Sequence, residues 1–356
     1  MSTLDDLAQV IDRIPLLGTV RTDLAQLRRL VADRRAPRML AIGAPGAGRT
    51  TLANELLAAS ALPAEAERAE LIAPEAQWLH VRAHGRSLDW LELDALPLTG
   101  TRRERLERAL RESPPDVILL VARADALDAP ALARTLHEVR ALLGERAVST
   151  LALRTGGASV DEGALEALRR ALAEQRVEVP RPSPLRRRGD RLDADELRAL
   201  ADELYVRLPD VAHVEAARTL PVGRDKKREV ARLLVQRAST IAVTVGLAPI
   251  PFSDALILVP LQSLMVTSVA YVAGQPWDAR AAAEWLGSVG LLGGAAFGLR
   301  WGAQQLVKLV PGAGTLLSAS VAGTGTLAIG RSAIAYFIDG PGLRRPTKLL
   351  PAPPPG

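Results

Sequence analysis

Leu4, Leu7, Val10, Ile11 and Ile14 recur at helical spacing, and so do Leu24, Leu27, Leu30 and Val31. Residues 3–34 therefore read as two amphipathic helices, broken near Pro15 to Gly18. The pattern then changes. RMLAIG (38–43) is a short apolar run suited to a buried strand; a glycine-rich stretch follows it, and TTLANELLAAS returns to helical spacing. WLHVRAHGRSLDWLELDALP reads as two strands joined by a tight turn at Gly85 and Arg86. The helix TRRERLERALRE comes next, then the strand DVILLVARA, a helix from Ala129 to Leu143 and the strand VSTLALR. A further helix spans about 160–175, and VEVP is a candidate last strand. Strands alternating with helices predict an α/β sheet of mostly parallel strands, with one antiparallel hairpin after the first helix.

Beyond Pro180 the composition shifts. RPSPLRRRGD reads as a basic linker and is followed by a polar helix from about Asp193 to Arg207. A basic cluster (Arg224, Lys226, Lys227, Arg228) then precedes a long apolar region, about 238–338, rich in small residues. Its uncharged runs are Ala238–Ser253 (16 residues), Ala255–Trp277 (23), Trp285–Leu299 (15) and Leu309–Gly330 (22). A bilayer-spanning helix needs about 20 predominantly apolar residues, so two runs qualify by length. Pro260, Gln262 and the many Gly, Ser and Thr fit short, partly inserted hairpins better than clean spans; a buried soluble bundle is the alternative. Gly290, Gly294, Gly298 and Gly302 recur every fourth residue, as do Ser318, Ala322, Thr326 and Gly330. Glycine costs about 1 kcal/mol per site in a helix interior. Such stripes predict close approach of another backbone, within the chain or in an oligomer. Asp254 is the sole charge between Arg237 and Asp278. It reads either as a ligand-facing carboxylate or, after Pro251 to Ser253, as a helix cap. The predicted organisation is N-terminal helices over 1–35, an α/β domain over 36–180, a linker and polar helix over 181–224, a hydrophobic all-α domain over 225–340, and a proline-rich disordered tail over 341–356.

Composition narrows the functional classes. The net charge is +5 over 356 residues, but only four residues are lysine, and the arginines are interleaved with acids. Aromatics make up 3%, too few for base-stacking platforms, and no nucleic-acid partner is expected. Without cysteine there are no disulfides, zinc–thiolate sites or thiol catalysis. His80, His84, His137 and His213 lack metal-binding spacing. The N-terminus does not read as a signal peptide, which predicts an intracellular protein.

The glycine-rich stretch GAPGAGRTT (Gly43, Ala44, Pro45, Gly46, Ala47, Gly48, Arg49, Thr50, Thr51) has the spacing of a phosphate-binding loop, G-x-x-x-x-G-K-[ST], between a strand and a helix. In such a loop, backbone N–H groups cradle phosphate at a helix N-terminus, the lysine reaches the outer phosphates, and the following hydroxyl binds magnesium. Here Arg49 replaces the lysine. Its planar guanidinium either reaches phosphate from another position or blocks the cradle. A ligand-free glycine-rich turn is the plainer alternative.

These elements resemble, over about 36–180, the Era-like GTPases. That group places D-x-x-G at the end of the third strand, where Asp reaches magnesium and Gly senses the terminal phosphate. This chain has DALP, with Asp94 kept and Pro97, which has no N–H, in place of glycine. The base-reading N-K-x-D is expected after VSTLAL, where the chain has RTGGAS (154–159). ARADAL, which holds Asp125, reads as the turn after the preceding strand. LAPIPFSDALILVPLQSLMV and LVKLVPGAGTLLSASVAGTGTLAIGRSAIAYF, within 225–340, resemble the uncharacterised helical domain that bacteria fuse behind Era-like GTPase domains, related to the YcjF-type membrane proteins. The resemblance implies a GTPase-like switch beside a membrane-associated helical module. Nucleotide would sit at Gly43–Thr51, with GTP and Mg2+ as cofactors and Thr50 and Asp94 as metal ligands. No catalytic residue is identified, and hydrolysis is expected to be weak or lost. Membrane lipid is the expected partner, together with a second copy or another protein, at the cytoplasmic face of a bacterial inner membrane. The basic cluster reads either as a site for anionic lipid or as an ordinary solvated helix face. A pseudo-GTPase adaptor that binds no nucleotide is the competing expectation.

Overall fold

The computed structural model describes residue 9 and residues 20–58, 76–83, 85–123, 126–155, 162–174, 183–188, 191–247, 257–277 and 314–340. The chain divides into two units. One is Arg35–Gly223; the other joins Met1–Arg34 to Arg224–Gly356.

The first unit is an α/β sheet. Its strands are β1 (Arg38–Gly43), β2 (Trp78–Ala83), β3 (Arg86–Asp94), β4 (Val117–Arg123), β5 (Ser149–Thr155) and β6 (Ser183–Leu185). They lie in the order β2-β3-β1-β4-β5-β6. Only β2 is antiparallel to its neighbour, and the register places Gly43 beside both Asp94 and Val121. The predicted turn carries Gly85 at φ +72°, while Arg86 already belongs to β3. The candidate strand VEVP lies outside the described residues, as do the Gly290–Gly302 stripe, Asp254 and the tail.

Helices cover both faces. α2 (Arg49–Ala58) follows the glycine loop and packs on β1 and β3; α1 (Val20–Val31) belongs to the other unit. α3 (Gly100–Glu112), α4 (Ala129–Leu143) and α5 (Glu162–Glu174) share a core with the opposite face, where Leu40, Ile42, Leu91, Leu93, Ile118 and Leu120 are fully buried. Alternation along β1 sends Met39 and Ala41 the other way. A strand covered on both sides has no wet face, so VILLVA reads as one apolar run.

Of the stretch expected to be a basic linker, Ser183–Leu185 is β6, and the polar helix expected over about Asp193–Arg207 forms. After the short β7 (Arg187–Arg188) and β8 (Arg191–Leu192), Asp193 caps α6 (Ala194–Arg207) by accepting from the N–H groups of Asp195 and Glu196. α7 (Asp210–Thr219) packs on β3. Glu215 and Thr219 are buried there with partners: Glu215 accepts from the Ser87 hydroxyl at 2.8 Å, and the Thr219 hydroxyl accepts from the Ser87 N–H at 3.0 Å. At the opposite end of the sheet from the glycine loop, Arg35 binds Asp116 through both guanidinium arms, at 2.8 and 2.6 Å, and donates its N–H to Val211 O at 2.9 Å. Burial, helped by Arg35, lowers the pKa of the neighbouring Arg38, while Asp89 and Asp116 oppose the shift.

The second unit is helical. It contains α1, α8 (Arg224–Leu247), α9 (Val259–Ala273) and α10 (Gly314–Ile334), which ends in a wider turn over Ala335–Asp339. The helix α1, from the segment 1–35 expected to hold the N-terminal helices, packs on α8 with Leu24, Leu27, Leu30 and Val31 buried, and Arg237 reaches Asp23 at 3.4 Å. Past its end, the Arg34 guanidinium lies over the rings of Trp277 (4.1 Å) and Tyr271 (5.0 Å). α8 and α10 make close contact. A Cβ on Gly330 would collide with Val235, and one on Gly323 with Val243. Gln262 donates to the buried Thr326 hydroxyl at 2.9 Å. Thr326 and Gly330, two members of the predicted small-residue stripe, thus face neighbours within the chain. Two helical stretches, Arg224–Leu247 and Val321–Asp339, are long and apolar enough to cross a membrane. α9 is a shorter apolar helix of 15 residues, ended by Gly274 at φ +111°. The basic cluster is partly engaged: Arg228 pairs with Asp225 (2.7 Å) and Asp339 (2.6 Å), and Lys226 with Glu229 (3.1 Å).

Candidate functional site

The glycine loop leaves the central strand at the end of the sheet where Gly43, Asp94 and Thr155 converge. Its first glycine is dictated by packing: a Cβ on Gly43 would lie 2.5 Å from the Val121 carbonyl oxygen and 3.2 Å from the Ala47 Cβ. Ala44 to Ala47 then form a tight turn. The Ala47 N–H donates to Ala44 O at 3.0 Å, with Pro45 at the second position and Gly46, φ +76°, at the third. This is type II turn chemistry, which requires positive φ at the third position. Gly48 also has positive φ, +94°, and α2 starts at Arg49. The buried Thr155 hydroxyl donates to Ala47 O at 2.6 Å and ties β5 to the loop. Thr155 belongs to the stretch where a base reader was expected; residues 156–159 lie outside the described residues, as does Asp125.

Arg49 turns back toward the sheet. It donates to Gly43 O at 2.8 Å and to Asp94 Oδ1, and its Nε lies 3.7 Å from Glu92 Oε2. Each of its three nitrogens faces a chain oxygen, and its side chain is only 11% exposed. Hydrogen bonds to charged groups contribute about 1.5–3 kcal/mol each, so this is a firm anchorage. Thr50 donates its hydroxyl to both Glu92 oxygens, at 2.8 and 3.0 Å, and the Trp90 indole N–H donates to Glu92 Oε1 at 3.0 Å. The two expected metal ligands, Thr50 and Asp94, thus come to one end of the sheet, each already hydrogen-bonded: Thr50 to Glu92 and Asp94 to Arg49. Among the described residues, no group of three or more His, Cys, Asp or Glu is arranged to hold a metal ion.

The DALP segment after β3 is strapped down. Arg102 donates to the carbonyls of Asp94 (2.6 Å), Leu96 (2.8 Å) and Pro97 (3.0 Å). Glu138 accepts the Leu98 N–H at 3.0 Å, and Gly43 O accepts the Ala95 N–H at 2.9 Å.

Sequence reasoning placed Gly43–Thr51 and Asp94 together, and the structure does bring them together. It missed Glu92, Trp90, Thr155, Arg102 and Glu138. Glu92 carried a readable signal: a lone carboxylate between Leu91 and Leu93, two residues before Asp94 and so on the same strand face. Arg102 and Glu138 carried none, because helix residues that cap a distant turn look like ordinary solvent-facing charges. No protein-family model matches this chain and no curated protein matches it, so the reading of the site rests on its geometry.

Proposed function

We propose that this is a membrane-associated protein whose α/β unit has a phosphate-loop GTPase architecture with weak or lost hydrolysis, working as a scaffold more than as a turnover enzyme. The observation that carries the reading is Arg49. The residue at the phosphate-reaching position is held by Gly43 O, Asp94 and Glu92. The architecture is supported by the strand order, by the glycine loop directly after the central strand, and by Asp94 at the end of the neighbouring strand. Lost turnover is supported by the strapping of residues 94–98. In a GTPase switch this segment must be released on hydrolysis, whereas Arg102 and Glu138 hold it here. GTP with Mg2+ at Gly43–Thr51 would be a weak ligand.

Membrane association is supported by the two helical stretches of spanning length. Lipid at the cytoplasmic face of a bacterial inner membrane is the partner this reading favours, with a second copy or an adaptor protein beside it. A soluble, nucleotide-free adaptor is the second reading, favoured by the packing of Gly323 and Gly330 inside the chain. Two measurements on the full chain separate them. On the first reading the chain pellets with membranes, resists high salt, and binds GTP and ATP analogues weakly with little base preference. Recovery in the soluble fraction as a monomer without detergent sinks the membrane claim. Tight, guanine-selective binding or robust turnover abolished by Thr50→Ala sinks the claim of a degenerate nucleotide site.

A further inference from the structure

We propose that Arg49 is a tethered cation, an autoinhibitory contact that occupies the place of a divalent metal and keeps the loop closed to metal and polyphosphate. The inference rests on the phosphate-loop reading above and names what regulates that site.

The charges carry the argument. Glu92 and Asp94 stand on one face of β3, beside the first turn of α2, with side chains only 8% and 22% exposed. Two carboxylates so enclosed need a positive partner. Around them stand the oxygens of the Gly43 carbonyl and of the Thr50 hydroxyl bound to Glu92, and the Trp90 indole N–H donates to Glu92 from the other side. These oxygen acceptors are of the kind that suits a hard cation. The positive charge among them is the Arg49 guanidinium, which reaches three members of the set at once because its nitrogens form a planar fork. A lysine ammonium carries its three donors on one atom, so it gathers oxygens around a point and does not span them as the fork does. The arginine that departs from the motif is therefore the residue whose shape fits this self-contained arrangement. A metal ion entering here would have to expel a group of like charge that is covalently attached and always present. Polyphosphate meets the same obstacle, since the guanidinium that would greet it is held by carboxylates.

The test compares wild type, Arg49→Ala, Arg49→Lys and the double variant Arg49→Ala with Asp94→Asn. Full-length chains are melted in EDTA, Mg2+ or Mn2+, with the transition of the α/β unit followed by loss of amide protection in β1 and β3, and each is titrated with inorganic triphosphate plus Mg2+. The wild-type midpoint is expected to be the same in EDTA and in either metal. Arg49→Ala is expected to melt lower in EDTA and to recover in Mn2+. The double variant is expected to regain stability in EDTA without metal. Arg49→Lys is expected to bind Mg2+–triphosphate roughly ten-fold tighter than wild type, as a group held by fewer bonds releases more easily. A wild-type midpoint that rises with metal alone overturns the proposal. So does an Arg49→Ala chain indifferent to EDTA and Mn2+, or one that the Asp94→Asn change fails to rescue. These last two results leave the degenerate-GTPase reading standing, whereas tight Mg2+–GTP binding by the wild-type chain removes that reading itself.

Discussion

Replacing Gly330 by alanine sets two effects of similar size against each other. In a helix interior glycine costs about 1 kcal/mol relative to alanine, so the backbone gains from the change. The new methyl, however, would sit 3.0 Å from Val235 Cβ and closer still to both Val235 methyl groups. Valine in a helix has essentially one rotamer, so it cannot swing aside, and α8 and α10 must separate. Overpacking of this kind costs about 1–3 kcal/mol. The net change is a loss of about 0–2 kcal/mol. Gly325, in the same helix, is the control. A Cβ there meets nothing within 4 Å, so Gly325→Ala should stabilise by the helix term alone, about 1 kcal/mol. The difference between the two variants is the quantity to read, because it cancels the shared propensity gain and isolates the contact. With two units in the chain, a single melting curve mixes transitions. Urea denaturation of the full chain should therefore be paired with amide hydrogen exchange in α8 and α10. If Gly330→Ala protects those amides as much as Gly325→Ala does, the close approach of the two helices is wrong.

Gly43→Ala should cost the α/β unit about 1–3 kcal/mol, since the obstructing atom is the backbone carbonyl of Val121; exchange of the β1 and β4 amides reads the loss. Asp116→Ala removes both bonds to Arg35 and the one from the Arg38 N–H, and should destabilise that unit by about 2–3 kcal/mol in urea titration; a change below a few tenths refutes the pairing. Leu27→Ala should cost the helical unit about 2–4 kcal/mol because the side chain is buried, and faster exchange should show in α8 rather than in the sheet.

Much of the α/β unit was legible because its elements are local and strongly patterned. RMLAIG, the glycine loop and the following helix formed as a strand–loop–helix, and Ala129–Leu143 folded over the predicted span. What escaped depended on partners distant in sequence. Glu215, Arg218 and Thr219 look like a polar helix face, yet they are buried against the start of β3. For the same reason the basic linker and polar helix of 181–224 read as a segment apart from the α/β domain, whereas Arg35–Gly223 forms one unit. The periodicity of residues 20–31 revealed an amphipathic helix and gave no hint of which unit its apolar face would meet. At the candidate site, motif spacing located the loop and Asp94, but the direction taken by Arg49 depends on Glu92, more than forty residues away along the chain.

The α/β unit interrupts the helical one, and that sequence order has a consequence during synthesis. The first helix leaves the ribosome with Leu24, Leu27, Leu30 and Val31 exposed, while the helix that covers them is encoded beyond Gly223. At 5–20 residues per second the intervening segment of about 190 residues takes roughly 10–40 s to make. The sheet can close in that interval; the helical unit cannot. A nascent chain halted inside the α/β unit would thus carry an amphipathic helix whose apolar face is uncovered, available to a chaperone or to a lipid surface until translation delivers its partner.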